Sequence, residues 1–455
     1  MLPTRYFAFL NRTGTLVRAA VCCGVGVAFL SMAGAPAFAA EMDNLKQQLR
    51  DLQTRLDQLE SQQAAPPVVP AKMLRSGKKQ VTLSLSGQVN RVSYIADDGT
   101  INSVFHSDNE NSSTRWRLVG KAKINSQWSA GLKIEQDIGQ SNNSSTTSLG
   151  EDFEDDTTSD TSFDNRQMNV WVKSKSAGKL TLGKTDTASN NIVQIDLSGT
   201  AVVQYSGAND IGGDFRYRAE DAAFAKKLSP LSLFLDDGTS LSDLGATINV
   251  KVQDFGANPR IDNVYSQLDG LSRRNVIRYD TPKFAGFSIG ASHAQGDLWD
   301  VAGRYSANYK DAGLKISAGI AYWEFGKNTN DFDSGIGGSI SVLHSSGFNL
   351  TIAAATKQRE DDASTIDDPV NFYIKPGFQF KGTSLGKTAI SFGYGRMDDL
   401  AKQDDEAESW HVAVVQNIDA AALELFAFWE LNSLDRDGSD FEDINIGGIG
   451  ARMKF

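Results

Sequence analysis

Between Thr114 and Ile124 four cations recur on alternate positions: Arg115, Arg117, Lys121 and Lys123 share one face with Val119, while Trp116, Leu118, Gly120, Ala122 and Ile124 share the other. A row of fixed positive charges attracts and orients anions without making or breaking bonds. Residues suited to covalent chemistry are sparse. Of the four histidines, His106, His293, His344 and His411, no two stand at i, i+4 for zinc. No Gly-x-Ser-x-Gly elbow precedes a helix, and no phosphate-cradling glycine loop precedes one. The sequence therefore predicts no enzyme, no cofactor and no resident metal, and no nucleic acid is expected as partner. A Ser or Asp dyad with His on a barrel wall is the one catalytic arrangement that spacing leaves open. The acidic run Glu151–Asp156 with Asp160 could hold divalent cations through oxygen ligands or stand as a solvated loop.

The element that positions such a row is a strand, whose side chains alternate faces with period two. From Val81 onward about sixteen such segments can be counted, near 82–96, 112–125, 127–138, 163–174, 178–186, 271–281, 284–295, 298–310, 312–324, 335–345, 347–358, 369–381, 386–397, 407–418, 420–431 and 444–455. Most are long enough to cross a membrane when tilted. Links after even-numbered segments are tight, as at Asn125–Gln127, Thr281–Lys283 and Ser345–Gly347; links after odd-numbered ones are mostly longer and acidic. A sandwich has no reason for this alternation, whereas a barrel with short turns at one rim and long loops at the other requires it. Gln295 to Leu298 is too short for its class. The long segment 187–270 holds two further short runs, Leu231–Leu235 and Ala246–Val252, which would raise the count to eighteen if both spanned. The expected fold is all-β: a transmembrane antiparallel β-barrel of about 16 strands, with 18 as the alternative.

Residues 1–39 carry Arg5, Arg12 and Arg18 without an acid, then the apolar run Ala19–Leu30 and a small-x-small site at Ala37–Ala39, the pattern of a signal peptide. Both cysteines, Cys22 and Cys23, fall inside it, so the mature chain has none. Losing three arginines takes the net charge from −11 to −14. Residues 40–63 follow as a short coiled-coil helix, with Met42, Leu45, Leu49, Leu52, Leu56 and Leu59 spaced 3, 4, 3, 4, 3. Such a helix is roughly 30 Å long and marginal alone. It needs an oligomer assembled elsewhere to supply local concentration. Residues 64–80 form a proline-rich, stiff linker, and 81–455 form the barrel.

The opening strand Val81–Asn90, the stretch Asn111–Arg117, the hairpin Asn275–Gly290 and the final strand ending on Phe455 resemble the Gram-negative trimeric porins over roughly Val81 to Phe455. The resemblance implies an outer-membrane, water-filled channel for passive diffusion of small hydrophilic solutes, built as a homotrimer. It implies contact with lipid and lipopolysaccharide, with Phe455 read by the barrel assembly machinery. It also implies that the loop 187–270 folds inward: Asp196, Asp210 and Asp214 become the loop carboxylates of a constriction, and Arg115, Arg117, Lys121 and Lys123 its basic wall. Two alternatives stand beside general diffusion. The basic second strand suits a solute-specific channel for anions such as phosphate, and the coiled coil and linker suit a periplasmic tether to the cell wall.

Overall fold

The computed structural model describes residues 74–75, 80–139, 143–146, 162–219, 258–326, 332–360 and 366–455, together with Gln47. The expected signal peptide, the heptad leucines, the proline linker but for isolated residues, the run Glu151–Asp156 and the two short runs within 187–270 lie outside the described residues. From Val69 onward the chain is one compact unit.

That unit is a closed antiparallel ring of sixteen staves. In chain order they are β1 (Val81–Asp97), β2 (Arg115–Lys123), β3 (Trp128–Gly139), β4 (Ser162–Ser174), β5 (Gly178–Asp186), β6 (Arg273–Asp280), β7 (Phe287–Ala294) and β8 (Trp299–Tyr309). The second half comprises β9 (Leu314–Glu324), β10 (Phe332–His344), β11 (Phe348–Arg359), β12 (Val370–Thr383), β13 (Gly386–Asp398), β14 (Glu406–Ile418), β15 (Leu423–Asp435) and β16 (Ile444–Lys454). Each pairs with its successor, and β16 closes the ring on β1 from Asn445↔Asp97 to Lys454↔Gln88. Phe455 extends this seam, exchanging backbone hydrogen bonds with Gly87 at 2.9 and 3.0 Å. Closure leaves no edge of unpaired backbone, the condition for crossing lipid with strands.

The eighteen-stranded alternative fails at one ladder. β5 pairs directly with β6 from Lys179↔Asp280 to Asp186↔Arg273, so nothing is inserted between them. A second difference lies before β2. The link Asp97–Glu110, expected as a loop, contains a strand, Asn102–Asp108, that returns along the upper half of β1 while β2 takes the lower half. The short link at 295–298 is a tight hairpin: Ala294 N donates to Leu298 O (2.8 Å), and of the three residues between them Gly296 (φ 90°) and Asp297 (φ 63°) are both in the left-handed region.

The outer face is apolar: Leu182, Ile289, Ile320, Ile340, Phe392 and Ile449 are all exposed. Two aromatic girdles flank this band. Phe287–Tyr305 (4.4 Å) and Phe348–Phe378 (4.7 Å) pair towards the short-turn rim, and Trp299–Tyr322 (5.5 Å) and Tyr394–Trp410 (4.4 Å) towards the long-loop rim. Trp299 and Tyr309 bracket β8; ten residues of tilted strand give a height of about 25 Å, the thickness of a barrel's apolar band. The buried core lies inside the ring instead. Tyr94, Phe105 and Phe215 stack there, with Phe105 and Phe215 5.5 Å apart, so that the 187–270 segment packs against the inner wall.

Candidate pore constriction

The path of the long segment follows from buried polar anchors. Arg278 Nη1 donates to the carbonyls of Asp186 (2.9 Å) and Thr187 (2.7 Å), and Arg304 Nη2 to those of Ala188 (2.9 Å) and Asn190 (2.8 Å). The Asp300 carboxylate accepts from Ser189 N (2.7 Å) and Oγ (2.6 Å). These contacts turn the chain inward as soon as β5 ends. It then crosses the wall: Ile195 N donates to Ser339 Oγ (3.1 Å), Leu197 N to Ser341 Oγ (2.9 Å), and Thr200 bonds Ser391 at 2.7 Å. On the far side Asn109 Nδ2 reaches Val202 O (3.0 Å) and Asn111 Nδ2 reaches Ala201 O (2.9 Å).

Between this segment and β2–β4 lies a polar cavity of about 460 Å³. Its wall is cationic. Arg115 and Arg117 project into it from β2, Lys133 from β3, Arg166 from β4, Arg273 from β6 and Lys357 from β11. Buried Glu135 sits beneath the first group, taking Arg117 Nε at 2.6 Å, Lys133 Nζ at 3.2 Å and Arg166 Nε at 3.0 Å. Arg166 Nη1 also reaches Asp137 at 2.9 Å, and Arg273 pairs with Asp186 at 3.1 Å. Among the described residues no carboxylate lies within ion-pair distance of Arg115 or Lys357; Arg115 reaches only Ser112 Oγ, at 3.4 Å, and Lys357 stands over the rings of Phe325 and Phe332.

Arg166 owes its place to a bulge. The β3–β4 register shifts between Glu135 and Gln136, so that Glu135 faces Gln167 but Gln136 faces Asn165. The extra residue on β4 is Arg166. Above the shift Phe163 is exposed, below it Met168 and Val170 are, so the outward parity changes and Arg166 points into the lumen beside Gln167.

The opposite side of the cavity is acidic. Glu110, from the turn before β2, and Asp210, from the long segment, are joined through Ser144: Glu110 N donates to Ser144 Oγ (3.0 Å), and that hydroxyl donates to Asp210 O (2.6 Å). Burial pushes the Glu110 carboxyl up to about 7, with Asp210 and Asp137 raising it and Arg166 opposing. Burial likewise pushes Asp210 up to about 6 against a Tyr205 hydrogen bond that lowers it. Asp269, also on the cavity, is occupied by the backbone N–H groups of Asn191 (2.6 Å), Ile192 (2.8 Å) and Val193 (3.2 Å).

Of the residues singled out by sequence, the fold thus brings Asp210, Arg115 and Arg117 to one cavity. Asp196 is elsewhere: it is buried against Lys375, which is fully enclosed and also donates to Gln204 O at 2.8 Å. Asp214 pairs with Arg260 at 3.0 Å, tying the two limbs of the long segment together. Lys121 and Lys123 stand exposed nearer the short turns. Glu110, Lys133 and Arg273 were missed although their chemistry is plain; nothing local tells that they converge.

A Ser–His–Glu row also exists on the inner wall, with Ser409 Oγ 2.7 Å from His411 Nε2 and Glu430 3.4 Å from His411 Nδ1. Ser409 is fully buried, so its hydroxyl has no approach for a substrate.

A lumen narrowed by a pinned segment between facing charges is a pore, and the comparisons agree. The Gram-negative porin family model matches residues 27–428. The chain belongs to that family. This porin lies in the outer membrane and forms a water-filled channel through which small hydrophilic solutes diffuse passively. Its fold is shared with the anion-selective porin of Comamonas acidovorans (TM-score 0.50, 14% identity, 83% of this chain and 100% of that one). It is shared also with the outer membrane channel DcaP of Acinetobacter baumannii (TM-score 0.51, 12% identity, 84% and 99%). No curated protein matches the porin's sequence at a significant level.

Proposed function

We propose that this porin is a homotrimeric general diffusion channel whose constriction favours anions. The observation that carries the reading is the imbalance of free charge at the 460 Å³ cavity. Among the described residues Arg115 and Lys357 stand there without carboxylate partners, while Glu110 and Asp210 are both held towards their protonated forms. Passing anions meet unneutralised cations on one wall and a partly uncharged acid pair on the other, so both the transverse field and the mean potential draw anions. Asp196 and Asp214 act in this reading as fasteners of the constricting segment, and Lys121 and Lys123 as guides below it.

The decisive experiment is single-channel conductance in a planar bilayer, with the reversal potential measured under a salt gradient. Conductance linear in salt, in steps of three, with a potential of anionic sign at pH 7 is expected. Saturating conductance would favour a solute-specific anion site instead, and a cationic sign would sink the charge argument. No catalysis is assigned: a fluorophosphonate probe is expected to leave Ser409 unlabelled in the folded porin. The heptad leucines Leu45, Leu49, Leu52, Leu56 and Leu59 would clamp three copies in the periplasm. Deleting residues 41–70 should then weaken the trimer while preserving conductance, whereas lost envelope attachment would indicate a tether.

A further inference from the structure

The inner wall carries a second concentration of charge, well separated from the constriction. At the short-turn rim a cavity of about 620 Å³ is lined by Lys310, Lys315, Lys381 and Lys387, with Asn308 and Gln379 between them. Lys315 is in register with Asn308, and Lys387 is the second residue of β13. No carboxylate lines this cavity, and among the described residues none lies within ion-pair distance of the four ammonium groups. Of the rim carboxylates, Asp280 is engaged by Arg278 (2.7 Å) and Glu424 by Arg452 (2.5 Å) and Lys454 (2.8 Å), while Asp311, next to Lys310, and Asp419, beside Gly386, flank the cavity without lining it.

The opposite rim has the other sign. β13 carries Lys387 as its second residue and ends at Asp398; there Asp398 and Glu406 share Arg396 and Asp405 meets Arg436, while Asp399 and Asp404 have no cationic partner among the described residues. The pattern repeats across the ring, where Lys123, Lys173 and Lys179 share one register row at the short-turn end of β2–β5.

We propose that the four-lysine cavity is a binding site for polyvalent phosphate anions entering from the periplasmic side. Single ammonium–anion pairs in water contribute only about 1 kcal/mol. Four of them within one cavity act together on a ligand that carries several charges, whereas a monovalent ion gains little and passes. Lysine ammonium groups are point charges without the planar fork of arginine, which suits phosphate oxygens spread along a chain better than a single carboxylate. A bound polyanion lies across the exit of the lumen, so it impedes current, and the acidic long-loop rim repels the same ligand from the other side. The side-dependent block rests on the channel reading; the binding itself does not.

The test uses inorganic tripolyphosphate and the full-length porin. In bilayers, block from the short-turn side is expected at roughly a tenth of the concentration needed from the loop side. Removing two charges in Lys381→Gln/Lys387→Gln should cost about tenfold in affinity and erase the side difference. Equal potency from both sides, or unchanged potency in the double variant, overturns the proposal. So does loss of block in Arg115→Gln with the lysines intact, because the ligand would then sit at the constriction. Calorimetry in detergent reads binding without current. Lysine-dependent binding by a protein that does not conduct would sink the channel reading alone, and conduction without lysine-dependent binding would sink this one alone.

Discussion

Arg166 Nε donates to Glu135 Oε1 at 3.0 Å across a β-bulge, and through that contact one buried carboxylate balances three cations at the pore wall. The bulge costs β4 one ladder position and places a guanidinium in the lumen that regular alternation would have turned to lipid.

Glu135→Gln should therefore raise anion selectivity, since Arg117, Lys133 and Arg166 lose their common counter-charge. The three cations left behind face the water-filled cavity and Arg166 keeps Asp137, so the barrel should unfold at nearly the same temperature. The chloride-to-potassium permeability ratio and the heat-modifiable gel shift check both; an unchanged ratio would deny Glu135 any influence on the pore.

The acid pair makes selectivity pH-dependent. Glu110 titrates near 7 and Asp210 near 6, both raised, so at pH 8 both are charged and at pH 5 both are neutral. The anion preference should grow as pH falls through that window, and Glu110→Gln with Asp210→Asn should hold it at the acid value throughout. Raised carboxyl values also mean that the folded state binds these protons more tightly than the unfolded one. Their contribution to stability is fully present at pH values below the unfolded carboxyls and is lost as pH rises towards 7. A flat reversal potential between pH 5 and 8 in the wild type would contradict this assignment.

Lys375 and Asp196 pin the constricting segment to β12. Lys375→Met leaves a buried carboxylate without its partner, a loss of about 3–5 kcal/mol in attachment. The expected readout is larger and noisier conductance, with the barrel itself intact. The double variant Lys375→Met/Asp196→Leu should recover much of the quiet behaviour. Identical noise in single and double variants would show that the pair does not hold the segment.

The two faces of the wall should answer charge differently. Ile340 sits exposed on the lipid face, mid-strand on β10. Ile340→Lys should destabilise the barrel by about 2–4 kcal/mol, while Lys121→Ala on the lumen face should leave its stability nearly unchanged. Urea unfolding from liposomes measures the difference.

The sequence by itself determined the wall. Period-two alternation and the rhythm of tight and long links placed sixteen strands within a few residues, because lipid on one side and water on the other act on each residue where it stands. It also supplied Arg115 and Arg117 on the inward face. It could not reveal that Asn102–Asp108 is a strand, since its pairing is with half of β1 and leaves no strong alternation of its own. Nor could it separate Asp196 from Asp210: both are acids in loop-like surroundings, yet one meets Lys375, 179 residues away, and the other meets the cavity beside Glu110. Which acid fastens the segment and which faces the pore depends on where a long chain crosses a closed ring. That path is decided by anchors such as Asp300 and Arg304, more than a hundred residues from the groups they hold. The bulge that aims Arg166 belongs to the same class, because a one-residue shift in pairing is a property of two strands together and of neither alone.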